Sequence, residues 1–501
     1  MLRKTTGIGA LDRLLDGGLP SGSVCTIVGD CGTGKSTFGV QFLVAGAKDQ
    51  PPERGVYLCA EQDEAALLAD FEHFELQKLL EEGLIKILDV TKSRLAVRGT
   101  TSPRSRTVLN SLQNEFNQTL LQLFQEVEEG GAQRIVVDHL QSFLTLAAGQ
   151  IAIPNDIAHR ELRNTIFRIS ELCRQSGATA LFLTEENSIT SENYIVDGVI
   201  HLGKTNLNGR KIRAITCQKM RRTRISQETF LMTMEGGQVN CCTPYNSFRR
   251  PPLLLPPDLG PYSDAFEGEK SAGTRYISSG IPDFDEKLLE GRGFRYGSWN
   301  VLEFEYGLDP WTILLSLTTN HLNLGRGIVI VLPEGYSVSR FLTLQNPHVK
   351  EKWESELTRR IIFFQRMAGS ASYIRNLNVD TEITLKDIRA AQAEILKQFG
   401  PPILTILSLD TLEAQYGAIK LSDLISQEVG TIAPEEKDVI IGIKREEQEI
   451  GRRTATPTTH WHVSLINAAL TIHGVIPQTQ LFAINLDYAR GYIKPELLPI
   501  V

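Results

Sequence analysis

The sequence predicts an α/β protein made of two lobes, each a mostly parallel sheet flanked by helices. Three observations carry this. Apolar strand-like runs alternate with stretches of helical periodicity, the two halves share an opening pattern, and a proline-rich stretch separates them. Strands that alternate with helices pair in parallel, because each helix carries the chain back across the sheet. In such sheets a ligand sits beyond the C-terminal ends of the strands.

The first lobe is placed at 1–243. Its run Val24-Cys25-Thr26-Ile27-Val28 reads as a buried parallel strand. Gly29-Asp30-Cys31-Gly32-Thr33-Gly34-Lys35-Ser36 follows and fits the phosphate-loop pattern G-x4-G-K-[ST]. Phe38 to Ala45 then reads as the first turns of a helix. A strand, a glycine turn and a helix start gather backbone N–H groups and a helix N-terminus around one anion. The predicted binding set is Gly29, Asp30, Cys31, Gly32, Thr33, Gly34, Lys35, Ser36 and Thr37. Lys35 reaches the outer phosphates and the Ser36 hydroxyl holds magnesium.

Further along, Leu109, Leu112, Phe116, Leu120, Leu123 and Val127 recur at helical spacing before Gly130-Gly131 and the strand Ile135-Val136-Val137. Asp138 ends that strand. It reads either as a turn or helix-cap aspartate or, given the upstream loop, as the acid that holds a magnesium-bound water. Glu61 follows the strand Val56 to Ala60. A carboxylate at the end of a strand neighbouring the loop can orient or deprotonate the attacking water. Lys219-Met220-Arg221-Arg222-Thr223-Arg224 places four cations within six residues. Such a run is a solvated face, a nucleic-acid patch, or a set of charges inserted into a neighbouring subunit's phosphate site. Lys92, Arg94, Arg98, Arg104 and Arg106 form a second basic stretch, read as a solvated loop.

A linker is placed at 244–272, because residues 250–262 hold too many prolines for helix or central strand. The second lobe, 273–501, echoes the first. Thr5-Thr6-Gly7-Ile8 and Asp12 find counterparts in Ser278-Ser279-Gly280-Ile281 and Asp285, and Ser21-Gly22-Ser23 in Tyr296-Gly297-Ser298. Internal similarity of this kind marks duplicated units. Carrying the register forward sets Gly29 against Phe304, Gly34 against Asp309, Lys35 against Pro310 and Ser36 against Trp311, with only Gly32 kept, as Gly307. Proline offers no N–H and Asp309 repels an anion, so a lobe without the phosphate loop is expected. Asp410 is expected at the strand end matching Asp138.

The bulk composition bounds these readings. A chain of 501 residues suffices for two or three domains of about 100–200 residues. Apolar content of 42% with 22% charged residues describes a globular protein with real cores. The net charge of −7 gives no global attraction to nucleic acid or anionic membrane. Seven cysteines without metal-ligand spacing, no apolar signal core at the N-terminus and no run of 18 apolar residues predict a soluble, cytoplasmic protein with no membrane partner.

Together these pieces resemble the KaiC-like branch of the RecA/RadA superfamily of ATPases. The carrying residues are Thr6-Gly7-Ile8-Gly9-Ala10-Leu11-Asp12, Leu15-Asp16-Gly17-Gly18-Leu19-Pro20-Ser21-Gly22, the phosphate loop and Glu61. Arg134 to Asp138, Thr184-Glu185-Glu186-Asn187 and Lys219-Met220-Arg221 continue the match in order. It covers nearly all of 5–240 and is fainter over 273–501. The resemblance implies two RecA-like lobes per chain, ATP and Mg2+ as cofactors, and double rings, commonly hexameric, with ATP between subunits. It implies that Glu61 is the catalytic glutamate and that Lys219 and Arg221 act across the subunit interface, with Lys35 on the phosphates. Gln62 stands where the family often has a second carboxylate, which slows or alters hydrolysis, and the altered second lobe argues against an autokinase. The layout is also similar to archaeal gas-vesicle regulators of the D type.

Three function classes follow. The leading expectation is a slowly hydrolysing regulatory ATPase that assembles with itself, its second lobe serving assembly or the docking of a regulatory protein. The alternatives are a DNA-binding, recombinase-type ATPase and a nucleotide-gated binding module without turnover. Nucleic acid is disfavoured by the acidic total.

Overall fold

In the computed structural model of the chain, each half is organised around one large sheet. The structure describes residues 2–60, 62–89, 106–139, 155–185, 195–207, 209–225, 227–245, 275–345, 353–366, 371–435, 438–446, 456–487 and 494–501. Two units separate: Met1–Thr243 with Ile500–Val501, and Pro244–Pro499.

The first unit runs β1 (Arg3–Lys4), α1 (Gly9–Leu14), β2 (Leu19–Pro20), β3 (Val24–Gly29), α2 (Lys35–Ala47), β4 (Arg54–Cys59), α3 (Glu64–Asp70), α4 (Leu76–Glu81) and β5 (Ile85–Asp89). It continues with α5 (Arg106–Glu128), β6 (Ala132–Asp138), α6 (Asn155–Ser176), β7 (Thr179–Thr184), β8 (Gly198–Leu207), β9 (Arg210–Met220), β10 (Thr229–Thr233) and β11 (Asn240–Cys241). The large sheet is ordered β5-β4-β6-β7-β3-β8-β9-β10-β11. Every pairing from β5 to β8 is parallel, and β8 to β11 is antiparallel. Central strands of a sheet covered on both faces are apolar throughout, which is why β3 and β7 are buried along their whole length.

The second unit runs β12 (Tyr276–Ile277), α7 (Pro282–Leu288), β13 (Phe294–Arg295), β14 (Ser298–Phe304), α8 (Trp311–Asn323), β15 (Ile328–Val331), α9 (Val338–Gln345), α10 (Trp353–Arg360), β16 (Ile361–Gln365) and β17 (Ile374–Asn376). Then come α11 (Thr381–Phe399), β18 (Ile403–Ser408), α12 (Leu409–Tyr416), α13 (Ala418–Glu435), β19 (Asp438–Arg445), β20 (Thr459–Ile466), β21 (Ala469–Ile476), β22 (Leu481–Asp487) and β23 (Lys494–Pro499). Its sheet is ordered β17-β16-β15-β18-β19-β14-β20-β21-β22-β23. Apart from the added edge strand β17, that is the strand order and the parallel-then-antiparallel pattern of the first sheet. The fold is two RecA-like α/β lobes.

The shared opening has one geometry in both units. Asp12 Oδ1 accepts from the Thr6 amide and hydroxyl, both at 2.7 Å. Asp285 Oδ1 accepts from the Ser279 amide at 2.9 Å, while Asp285 Oδ2 accepts from Ser278 Oγ. Gly18 at φ 120° and Gly293 at φ 91° each pass so close to a carbonyl, Lys4 O and Ile277 O, that a β-carbon would lie 2.2 Å from it. Only glycine fits there.

Two expectations for the second lobe change. The segment joining β14 to α8 is one residue longer than that joining β3 to α2, so Trp311 rather than Pro310 opens the helix where Lys35 does in the first lobe. Pro310 holds the cap position instead, at φ −60°, a backbone angle its ring imposes. Asp410 does not end a strand: β18 stops at Ser408, whose hydroxyl caps α12, and Asp410 lies in that helix's first turn. There it accepts from the Arg445 amide at 3.2 Å and pairs with its guanidinium at 3.1 Å.

Candidate nucleotide site

The phosphate loop leaves the C-terminal end of β3 at Gly29 and enters α2 at Lys35. Gly32 and Gly34 adopt φ of 73° and 100°, left-handed values that glycine takes without strain. A β-carbon on Gly29 would lie 2.5 Å from Leu202 O and 2.7 Å from Thr33 Oγ1, and one on Gly34 would lie 2.9 Å from Met234 Sδ. Thr33 Oγ1 closes the turn by donating to Asp30 O at 2.8 Å. The 13-residue helix α2 starts without a side-chain cap, so its first N–H groups face the loop. An N-terminus of this kind fits an anion. Lys35 Nζ lies over the loop, donating to Gly29 O at 2.8 Å and Asp30 O at 2.9 Å.

Asp138 ends β6, which is separated from β3 by β7 alone. Its Oδ2 accepts a hydrogen bond from Tyr57 Oη. Burial, and then the Asp138 carboxylate, push the Tyr57 hydroxyl well above its ordinary range, so it remains a donor. Ser36 lies at the head of α2 and Asp138 at the end of β6. Two hard oxygen donors, a hydroxyl and a carboxylate, suit magnesium. His139, the next residue, sits at φ 57°, and its Nε2 approaches Glu185 Oε1, just past the end of β7, at 3.9 Å.

Glu61 lies outside the described residues, as do Glu186, Asn187, Lys92, Arg94, Arg98 and Arg104. The strand that leads to Glu61 does correct the expectation: β4 is not a neighbour of β3, because β7 and β6 stand between them. It is instead parallel to β6, with Cys59 opposite Asp138, so it ends beside that carboxylate.

Lys219 and Arg221 are not near this chain's own loop. Gly198 and Met220 pair where β8 meets β9, and Gly198 also pairs with Cys25, at the start of β3. The loop leaves the far end of β3, about five residues or roughly 16 Å away. At its own edge, Lys219 Nζ donates to Val196 O at 2.7 Å. Burial and then Arg221 hold its ammonium below the ordinary lysine range. Arg221 and Arg222 approach the buried Asp197 carboxylate at 3.6 and 3.9 Å. Asp197 in turn accepts from the Val24 amide at 3.2 Å.

Sequence reasoning missed Tyr57, Lys204 and Arg213. Lys204 Nζ donates to Cys31 O at 2.8 Å and Arg213 Nη1 to Gly32 O at 2.7 Å. They stand opposite each other on β8 and β9, two cations that fix the outer rim of the loop. Among the described residues no helix is long and apolar enough to cross a membrane.

Residues 4–244 match the family model described as "ATPase: KaiC". A UPF0273 protein of Pyrobaculum aerophilum is 29% identical over 237 residues, 46% of this chain and 78% of that protein. Another, from Methanocaldococcus jannaschii, is 29% identical over 247 residues, 47% of this chain and 95% of that protein. The circadian clock protein KaiC2 of Synechocystis is 26% identical over 321 residues, 62% of this chain and 49% of that protein. A solved KaiC-like protein from Pyrococcus horikoshii OT3 is 24% identical, with a TM-score of 0.37, covering 48% of this chain and 98% of that one. The family match spans the first lobe, with the phosphate loop, Ser36 and Asp138 inside it, so that lobe is similar to the KaiC family of ATPases.

Proposed function

We propose that the chain is a slowly hydrolysing, ATP-binding regulatory ATPase that assembles with itself into rings, binding one ATP per chain at subunit interfaces. The observation that carries this reading is the opposed placement of two cation sets. Lys35 lies at the loop, while Lys219 and Arg221 lie at the other end of the same sheet. Cations that cannot reach their own loop are well placed to reach a neighbour's, in a head-to-tail interface that closes into a ring. Their contacts with Val196 and Asp197 hold them ready at that edge.

Within the site, the loop amides and Lys35 bind the phosphates, Ser36 and Asp138 hold magnesium, and Glu61 orients water. Magnesium, when bound, neutralises charge on the phosphates. Arg221 of a neighbouring chain adds charge in the transition state, a contribution of about 10³-fold or more in comparable enzymes. Hydrolysis is slow because Gln62 replaces a second carboxylate. The second lobe takes no nucleotide in this way and serves assembly or the docking of a protein. Phe304, buried in the core, stands where Gly29 does, and Asp309 at its helix start pairs with Arg340 at 3.7 Å. The shared topology and opening support a duplicated origin, as does the KaiC2 match, which is longer than the first unit.

The test is ATP binding and particle size, with and without magnesium, for the parent and Lys35→Ala. Loss of both binding and ATP-dependent assembly in the variant is expected, and retention of both overturns the proposal. Phosphate release from the parent and Glu61→Gln then tells turnover from a pure switch: equal, near-zero rates mean a binding module.

A further inference from the structure

We propose that Tyr57 is a positioning residue for the metal: its hydroxyl donates to Asp138 Oδ2 and holds that carboxylate in one orientation toward the cation. This rests on the nucleotide reading of the loop.

Tyr57 stands in the middle of β4 and is 1% exposed. Among apolar strands a phenol is isosteric with phenylalanine apart from its hydroxyl, and a buried hydroxyl is costly unless bonded. Here it is bonded to Asp138. The direction of the bond follows from the chemistry of the partner. An ionised carboxylate only accepts, so the tyrosine proton goes to Asp138. An aspartate held at Oδ2 by a fixed donor is kept in one orientation toward a metal-bound water. Tyr57 and Asp138 come from β4 and β6, so the bond also ties the acid to the strand that leads to Glu61.

Outer partners that orient metal ligands typically change metal affinity 10–100-fold when removed. Tyr57→Phe keeps the ring and its packing and deletes the bond. The experiment is binding of a fluorescent ATP analogue to the full chain, first in EDTA and then across a magnesium titration. The expected result is parent-like binding in EDTA, with a magnesium half-saturation raised about tenfold or more. In the Asp138→Ala background the same change is expected to add little, since coupled residues are not additive. An unchanged half-saturation overturns the proposal. So does an equal effect in both backgrounds, which is what lost packing alone would give. A parent that binds the analogue in neither condition overturns the nucleotide reading together with it. Parent-like binding by Lys35→Ala overturns that reading alone.

Discussion

A β-carbon on Gly46 would lie 2.2 Å from Nε of Arg134: the helix after the phosphate loop and the strand that bears Asp138 meet through one glycine and one buried guanidinium. Arg134 is 0% exposed. It reaches Glu53 at 2.7 Å and Asp49 at 2.8 Å, donates to Phe42 O at 2.7 Å and to Thr5 O, and stacks 4.7 Å over the Phe42 ring. Burial would raise Glu53, but hydrogen bonds from Lys4 and Arg134 leave its carboxyl below the usual range. One side chain therefore ties the N-terminal segment, α2 and the segment after it to β6, and so sets the distance between Ser36 and Asp138.

Gly46→Ala is accordingly expected to destabilise the first lobe by about 1–3 kcal/mol, the usual cost of overpacking a filled core. Arg134→Met is expected to cost about 1–3 kcal/mol, because Phe42 O and Thr5 O lose a buried donor while Glu53 keeps only Lys4. The double variant should cost less than the sum, since the methionine stem vacates the space the new methyl needs. Urea unfolding followed by circular dichroism reads all three, and strict additivity counts against a direct clash.

The second lobe carries a different sensitivity. His321 in α8 is fully buried, and its Nε2 lies 3.2 Å from Gly327 O. Burial, and then Arg326, push its imidazole down to about 3. The unfolded chain takes up this proton near pH 6.5 while the folded lobe does not, so stability is full above that pH and falls as pH drops toward 3. By pH 5 the loss is about 2 kcal/mol. All four tryptophans, Trp299, Trp311, Trp353 and Trp461, belong to this lobe, so their fluorescence follows its unfolding separately. His321→Leu should flatten the dependence between pH 7.5 and 5, and an unchanged slope sinks the assignment to His321.

What the sequence disclosed follows from how local each feature is. The loop from Gly29 to Ser36 is contiguous, so its chemistry was legible, and the opening around Thr6 and Asp12 could be matched to Ser279 and Asp285. Tyr57 was not legible. It looks like one more aromatic in an apolar strand, and its partner is 81 residues away. Lys204 and Arg213 needed the register of β8 and β9, which hydrophobic pattern alone leaves open. The strand before Glu61 follows β3 next in the chain, yet two strands stand between them in the sheet, an order that sequence alone leaves open. Ser408 reads in sequence as part of the apolar run of β18, yet its hydroxyl starts a helix that takes Asp410 off the strand end.

The opposed placement of Lys35 and Arg221 gives a sharper test of ring assembly than either variant alone. If each site takes its loop from one chain and Arg221 from the next, Lys35→Ala and Arg221→Ala are each inactive in phosphate release. Mixed subunits behave otherwise. Wherever an Arg221→Ala chain supplies the loop and a Lys35→Ala chain supplies the arginine, the site is intact. At equal mixing, at most about a quarter of head-to-tail interfaces meet that condition, so up to about a quarter of the parent rate should return. An arginine acting within its own chain predicts no recovery at any ratio, because every chain then carries one broken half. Full activity of Arg221→Ala alone would remove the residue from the reaction. Recovery that scales with the product of the two subunit fractions is the signature that the site is built from two copies of this chain.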